Sequence, residues 1–438
     1  MNKKLIESLY HELPDLVKNG VLTQEAADSL KRHYAEVKIT SKKWFMFMLC
    51  GLVGTILIGL GIILIFAHNW DQLSRLTRTV LSLAPLVIGQ GFAFWVLVKR
   101  QESSIFKECA ATFLTLIVGS SLALVCQTYN IPGDTASFTF AWMMLILPLV
   151  YLMQASIPAV VYCIGITIWA GQFWNEPLHS VFFWPLVVLI IPHFIWSLRQ
   201  EKYSLRAAIL SFVMMVCVYV GTQITLGNGL PLTWFVIEPC LMVIFYLVGS
   251  YKFKRISTNW QLPLLRIGAL GIFAHAFIFT FLSSWSSIRL WKPYSEADVF
   301  GLAALPGNII SLVIVSVSIL MLYDFVKRRQ LMPALFGSLS LLAVVVYFMT
   351  MAGTPNMLAV FIFNIYLFAL SIIRIIFGAR SNRLDVVNTG MLMLAILILA
   401  RFFDSDINFI LKGVVFIAVG LGFLLANIMM LKQARSQR

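Results

Sequence analysis

The sequence predicts an all-α protein, a polytopic integral membrane bundle of about fourteen transmembrane helices preceded by a small cytoplasmic helical hairpin. Two observations lead to this class. The 438 residues are 60% hydrophobic and only 12% charged, a composition that does not fit a soluble globular domain. Long apolar runs also recur to the C-terminus, each near the ~20 residues that cross ~30 Å of hydrocarbon.

Residues 1–43 precede the first apolar run, which begins at Trp44. Leucines at helical spacing before Pro14, the turn signal Asn19-Gly20 and a capping Thr23 predict a short helical hairpin. A hairpin of this size buries little apolar surface alone, so we expect it to dock on the membrane domain or on a cytoplasmic protein partner. It lacks a basic recognition helix, which argues against nucleic-acid binding. A cleavable signal peptide is not expected, because a long charged segment precedes the apolar run.

The predicted transmembrane domain, residues 44–431, consists of apolar spans joined by short connections. Fourteen spans are predicted, at residues 44–67, 79–98, 109–127, 139–155, 156–173, 181–198, 207–226, 232–250, 267–283, 302–323, 331–350, 357–377, 386–400 and 410–431.

Basic residues are distributed unevenly between the two sides of this predicted bundle. With alternate loops on opposite sides, six of the 33 Lys and Arg residues fall outside, and the other 27 share the side of the N-terminus. The positive-inside rule predicts this asymmetry for a bacterial inner-membrane protein whose two termini, including the basic tail 432–438, are cytoplasmic. The net charge of +14 is therefore assigned to topology rather than to a nucleic-acid partner.

Spans that are four apart in the sequence resemble one another. The first, fifth and ninth end at Trp70, Trp174 and Trp285, and the second and sixth carry a proline in their outer halves, Pro85 and Pro185. A four-span unit used three and a half times would keep one orientation, with the copies related by rotation about the membrane normal. The alternative is that terminal tryptophans mark only the membrane interface. The predicted copies cover residues 44–155, 156–250, 267–377 and 386–431.

Polar and aromatic residues close the outer ends of the first and third spans. The topology places both groups at one depth, where they could form a pocket for a polar head group, a sugar ring or an exported solute. The competing interpretation is that they cap helix ends and anchor the interface. These substrate-binding candidates are His68, Asn69, Trp70, Asp71, Gln127, Tyr129 and Asp134.

Glu238 lies inside the eighth span and is followed by Pro239. A carboxyl at this depth is costly, so it is expected to face a cavity or a partner. One interpretation is structural, with a protonated Glu238 bonded to a carbonyl that Pro239 frees, or to Asn308 or Asn364. The other is a carboxylate that couples protons or binds substrate.

His193 and His275, in the sixth and ninth spans, could each join a proton relay with Glu238 or could be packing residues. The six cysteines lie in or at the ends of apolar runs without CxxC pairing, which favours core packing over metal or disulfide roles. Motifs for zinc, nucleotide or serine-hydrolase chemistry are absent from the sequence. No metal and no cofactor is therefore expected.

The N-terminal third resembles a known family. The cytoplasmic stretch LPDLVKNGVLTQEAADSL, the tip AHNW at residues 67–70, and CQTYNIPGD at residues 126–134 followed by Trp142 are similar to the bacterial membrane family called domain of unknown function 2157. The resemblance covers about residues 10–155 and implies no established reaction, substrate or cofactor. It implies that the matching outer positions, among them Gly133, should be tested together.

Three functional classes follow from these observations. A transporter or flippase for a small solute or lipid-linked molecule is favoured by the repeated spans, the proline-broken helices and Glu238. A membrane scaffold that acts through residues 1–43 is the first alternative. A membrane-embedded enzyme that uses Asp71 on a lipid-linked substrate is the second, and it is less favoured because few basic residues lie outside to bind diphosphate.

Overall fold

The computed structural model of the chain describes residues 13, 16–17, 20, 22–34, 73–174, 176–200, 205–226, 232–251, 261–286 and 305–404. The chain divides into two units, Met1–Arg78 and Thr79–Arg438. Helices account for the regular structure throughout the described ranges, and no strand occurs in them. The predicted all-α class is confirmed.

In the first unit, helix α1 (Gln24–Tyr34) begins at the position that the sequence indicates. The Thr23 hydroxyl oxygen accepts a hydrogen bond from the Ala26 N–H at 3.3 Å, which caps the helix. Gly20 has a φ of +71°, the left-handed conformation that the predicted turn needs. Residues 35–72, which include the first predicted span and His68 to Asp71, lie outside the described residues.

The helices of the described chain overlap twelve of the fourteen predicted spans. The other two, 44–67 and 410–431, lie outside the described residues. The helices, with two short ones in the connections, are α2 (Arg75–Lys99), α3 (Ser104–Tyr129), α4 (Thr135–Met153), α5 (Ser156–Gly171), α6 (Pro177–Ser180), α7 (Phe183–Gln200), α8 (Leu205–Leu226), α9 (Glu238–Ser250, preceded by a π-helical turn, Thr233–Ile237), α10 (Gln261–Ile278), α11 (Leu282–Ser286), α12 (Leu305–Lys327), α13 (Leu331–Met351), α14 (Asn356–Arg380) and α15 (Leu384–Asp404).

Within the described part of the chain, eleven helices are long and apolar enough to cross a membrane. Helix α5 has 16 residues, about 24 Å at the usual helical rise, and is shorter than a typical span. The four-span repeat stays a prediction.

One predicted boundary is corrected. The span placed at residues 267–283 is helix α10, Gln261–Ile278. Side chains satisfy the last carbonyl groups at the end of this helix: the hydroxyls of Thr280 and Ser284 donate to them at 2.6 and 2.8 Å. The indole of Trp285 donates at 2.8 Å to the carbonyl just beyond. Hydropathy alone does not reveal this helix end, because Thr280 and Ser284 lie among aromatic residues and the apolar run continues past Ile278.

The span Thr233–Ser250, which contains α9, is the centre of the bundle, with 78% of its residues buried. It packs most closely against α10, where two glycines remove the side chains between the helices. A Cβ atom at Gly249 would lie 2.5 Å from the backbone nitrogen of Leu265, and one at Gly268 would lie 2.6 Å from that of Tyr246. Small residues allow such close approach of membrane helices. Any side chain at either glycine would push α9 and α10 apart.

Candidate functional site

Glu238 stands where the central span changes its helical geometry. Pro239 has no N–H to donate to the preceding turn, and the Glu238 N–H bonds to the carbonyl of Thr233, five residues back. This widened π-type turn ends at Ile237, and such turns are frequent at functional sites. Glu238 is the sixth residue of the span Thr233–Ser250, roughly 7.5 Å from its start at ~1.5 Å per residue.

The carboxyl of Glu238 is almost fully buried, with 3% of the residue exposed, and meets two polar side chains. Nε2 of His275 lies 3.0 Å from Oε2 of Glu238. The Tyr219 hydroxyl donates to the same oxygen at 3.3 Å. The three residues come from α8, α9 and α10 and tie these helices together. We call them the buried triad, since the carboxyl and the imidazole are buried and Tyr219 is half-buried.

The contact of the second ring nitrogen of His275 shows how many protons the His275–Glu238 pair holds. Nδ1 lies 2.8 Å from the carbonyl oxygen of Gly271. A carbonyl oxygen only accepts hydrogen bonds, so Nδ1 must carry a proton. The contact between Nε2 and the Glu238 carboxyl then needs one further proton, held by either partner, because two lone pairs would otherwise face each other. The geometry therefore fits a buried pair that shares one exchangeable proton.

Aromatic rings surround the imidazole of His275. The centroids of Trp234 and Phe279 lie 5.5 and 6.1 Å from that of His275. Trp234 is 42% exposed, whereas Phe279 is fully buried. The Trp234 ring therefore lies between the buried imidazole and the surface of the protein.

Of the two histidines that the sequence singled out, His275 contacts Glu238 and His193 does not. His193 is 3% exposed and lies with its ring centroid 6.0 Å from those of Tyr151 and Trp196. Its Nε2 has no hydrogen-bond partner among the described residues.

The asparagines proposed as partners of Glu238 lie on later helices. The Asn364 amide donates to the carbonyls of Val360 and Thr280, at 2.8 and 3.3 Å. Neither Asn364 nor Asn308 is among the described partners of Glu238, which are His275 and Tyr219.

Three members of the predicted outer cluster lie at or near the connection between α3 and α4. Asp134 is the N-cap of α4, and its carboxylate accepts from the Ser137 N–H at 2.8 Å. Hydrogen bonds from the Ser137 hydroxyl and from its N–H lower the pKa of Asp134 below its ordinary value. The Tyr129 hydroxyl is 3.0 Å from that of Thr79, and Gln127 accepts through its backbone carbonyl from the Asn130 N–H. The connection is thus held by capping contacts, and the ligand role of the cluster stays a prediction.

Sequence reasoning missed two residues that organise polar contacts. Tyr219 gives only a weak signal, a hydroxyl in an apolar span at the depth of Glu238. Glu108 directly precedes the predicted span 109–127, where a charge is expected at the membrane interface. It is 6% exposed and accepts from the backbone N–H groups of Ser156 and Ile157 at 2.7 and 3.2 Å. Glu108 therefore caps α5 from a neighbouring helix.

Metal-ligating side chains do not cluster in the described part of the chain: no three His, Cys, Asp or Glu residues there lie close enough to hold an ion. The described cysteines are free thiols, and Cys50 lies outside the described residues.

The helices and their composition define a multi-pass α-helical membrane protein. Residues 14–159, about a third of the chain, match the family model described as "Predicted membrane protein (DUF2157)". This match confirms the resemblance of the N-terminal third. No curated protein and no solved structure matches the chain. Glu238, His275 and Tyr219 lie C-terminal to the matched residues, so their role is argued from their geometry.

Proposed function

We propose that the protein is a proton-coupled transporter of a small solute or lipid-linked molecule, and that Glu238 and His275 form its proton site. The observation that carries the proposal is the 3.0 Å contact between the two side chains, both buried, in which one shared proton is required. Ionisable groups inside membrane spans mark proton relays and substrate paths in transporters.

The proton is coupled to the packing of three helices. With the proton present, Glu238 bonds to His275 on α10 and accepts from Tyr219 on α8. When the proton leaves, the carboxylate and the Nε2 lone pair repel each other, so the hydrogen bond between Glu238 and His275 is lost and the contact between α9 and α10 is weakened at this end. The backbone around Glu238 suits a movement of this helix, because Pro239 and the π-type turn already interrupt the regular hydrogen bonds. Protonation and helix position thereby become linked, as coupled transport requires.

The position of the site supports transport more than it supports a scaffold. Discontinuous helices near ion or substrate sites are a recurrent feature of secondary transporters. A scaffold that acts through residues 1–43 needs no buried shared proton in the bundle. The enzyme alternative depends on Asp71, which lies outside the described residues, and no described contact favours it.

The experiment is proton flux in proteoliposomes that contain the purified protein and a trapped pH-sensitive dye. Panels of candidate solutes are added under an imposed solute gradient, and a coupled solute changes the internal pH. We expect Glu238→Gln to abolish the solute-dependent proton flux and to leave the protein folded.

The chain offers a matched control. Glu176 and His179 form a second carboxyl–imidazole pair at 2.9 Å, and both side chains are about 60% exposed. Glu176→Gln removes the same chemical group from an exposed site and should leave the flux unchanged. Solute-dependent proton flux that survives Glu238→Gln, or an equal loss in Glu176→Gln, would refute the proposed proton site.

A further inference from the structure

A polar cavity of about 430 Å³ lies at the opposite end of the bundle from the buried triad. Its lining comes from the connection between α2 and α3, the connection between α4 and α5, the end of α7 and the start of α8. These segments meet at the end that the charge distribution assigns to the cytoplasm. We call it the helix-end cavity, and the side chains that matter for its chemistry are Glu102, Ser104, Lys107, Ser156, Trp196 and Arg206.

The cavity is built on a buried carboxylate. Glu108, next to Lys107 in α3, accepts the first two N–H groups of α5 and lies 3.6 Å from a guanidinium nitrogen of Arg206. The carboxylate therefore joins α3, α5 and α8 and fixes Arg206 at the cavity wall, where 36% of its side chain stays exposed. The cavity is thus a defined feature of the packing of three helices.

The charges that face the cavity are of both signs. Lys107 and Arg206 supply two cations, and Glu102 supplies an exposed carboxylate on the connection before α3. Glu108 balances part of the charge of Arg206. A purely anionic ligand would meet a nearly neutral site, whereas a ligand with a phosphate and an ammonium group would pair with both signs.

The surroundings favour a membrane lipid over a soluble molecule. Apolar side chains next to the cavity-lining residues are exposed on the helices: Ile105 is 70% exposed, Leu152 65% and Phe106 39%. Trp196 lines the cavity itself, and tryptophan favours the boundary between head groups and hydrocarbon. Pockets with basic residues between transmembrane helices bind the phosphate groups of anionic lipids such as cardiolipin, and Glu102 adds a partner for an ammonium group here. Acyl chains could therefore run along the exposed helix surfaces while the head group enters the cavity.

We propose that the helix-end cavity binds a zwitterionic phospholipid with a primary ammonium head group, of the phosphatidylethanolamine class. Lys107 and Arg206 bind the phosphate diester, and Glu102 binds the ammonium group. The hydroxyls of Ser104 and Ser156 supply further hydrogen bonds to the phosphate oxygens. This site is independent of the proton site around Glu238.

The test is lipid binding to the purified, delipidated full-length protein, measured by native mass spectrometry. Phosphatidylethanolamine and phosphatidylglycerol with identical acyl chains are titrated separately. We expect the wild-type protein to bind phosphatidylethanolamine more tightly. Lys107→Gln should weaken both lipids about tenfold, the effect of one lost charge-assisted hydrogen bond. Glu102→Gln should remove the preference, because the ammonium group loses its carboxylate partner and the site gains net positive charge, which strengthens the binding of phosphatidylglycerol.

Lys99→Gln is the matched control, because Lys99 ends α2 at the same side of the bundle and does not line the cavity. Glu102 is exposed and Lys107 is half-buried, so their variants should fold, which the unfolding midpoint checks. Equal lipid binding by wild type and Lys107→Gln, or an equal loss in Lys99→Gln, would overturn the site. Tighter binding of phosphatidylglycerol by wild type would overturn the assigned head group. Displacement of the lipid by soluble phosphoethanolamine at matched concentration would show that acyl chains are not recognised, and would overturn the lipid assignment.

Discussion

The variant Glu238→Gln tests whether the buried triad can keep its packing when it can no longer bind and release a proton. Glutamine keeps the shape of the side chain: with its amide nitrogen in the place of Oε2, one N–H can donate to Nε2 of His275 and the other to the hydroxyl oxygen of Tyr219. Both observed hydrogen bonds, at 3.0 and 3.3 Å, therefore have a replacement that carries no exchangeable proton. We expect the free energy of unfolding to change by less than about 1 kcal/mol.

In contrast, His275→Ala should lower the free energy of unfolding strongly. It removes the imidazole from a site where only 7% of the residue is exposed and leaves the carboxyl of Glu238 with Tyr219 as its described partner. Loss of one partner from a buried pair, together with the cavity left behind, should lower the free energy of unfolding by about 3–5 kcal/mol.

The assay is reversible unfolding in mixed micelles, followed by tryptophan fluorescence, together with infrared difference spectroscopy on a pH change. The infrared carboxyl band that responds to pH should disappear in Glu238→Gln, while the unfolding curve stays close to that of wild type. A destabilisation by Glu238→Gln as large as that of His275→Ala would show that the amide cannot replace the carboxyl, which would refute the proton arrangement deduced here. An infrared response identical to that of wild type would refute the assignment of the exchangeable proton to Glu238.

Three further outcomes test the packing and the helix ends. Gly268→Ala should destabilise the protein by about 1–3 kcal/mol, measured by the same unfolding assay, because its Cβ atom would meet the backbone of Tyr246 at 2.6 Å; an unchanged midpoint would contradict this close approach. Glu108→Gln should cost about 2–3 kcal/mol, since it removes the charge opposite the guanidinium of Arg206 and weakens the cap of α5; Glu102→Gln, at an exposed carboxyl, is the control. Asp134→Ala should lower the unfolding temperature at neutral pH but not under strongly acidic conditions. The lowered pKa of Asp134 means that its contribution is complete above the ordinary value of 3.8 and is lost as the pH falls through the folded-state pKa; an equal difference at all pH values would contradict the role of the ionised cap.

The sequence predicts those features that depend on contacts between residues close together in the chain, such as helix caps and turns. The N-cap Thr23 and the left-handed Gly20 could be predicted because a cap or a turn depends on residues three or four positions away. Asp134 was also open to this reasoning, as a cap in the turn NIPGD. The end of α10 was not, because its carbonyls are taken by Thr280, Ser284 and Trp285, whose contribution depends on how the chain folds back.

The sequence alone determined that this is a multi-pass helical membrane protein, because composition and span length are sums over residues and do not depend on which helices touch. It also identified Glu238 and His275 as costly residues for an apolar span. Only the tertiary structure decided that they form a pair, across 37 residues, and that Tyr219 joins them. The physical reason is that helices surrounded by lipid carry apolar residues on every side, so hydrophobicity does not indicate which face turns inward. In this protein the π-type turn before Glu238 and the close approach of α9 and α10 place the Glu238 side chain against His275.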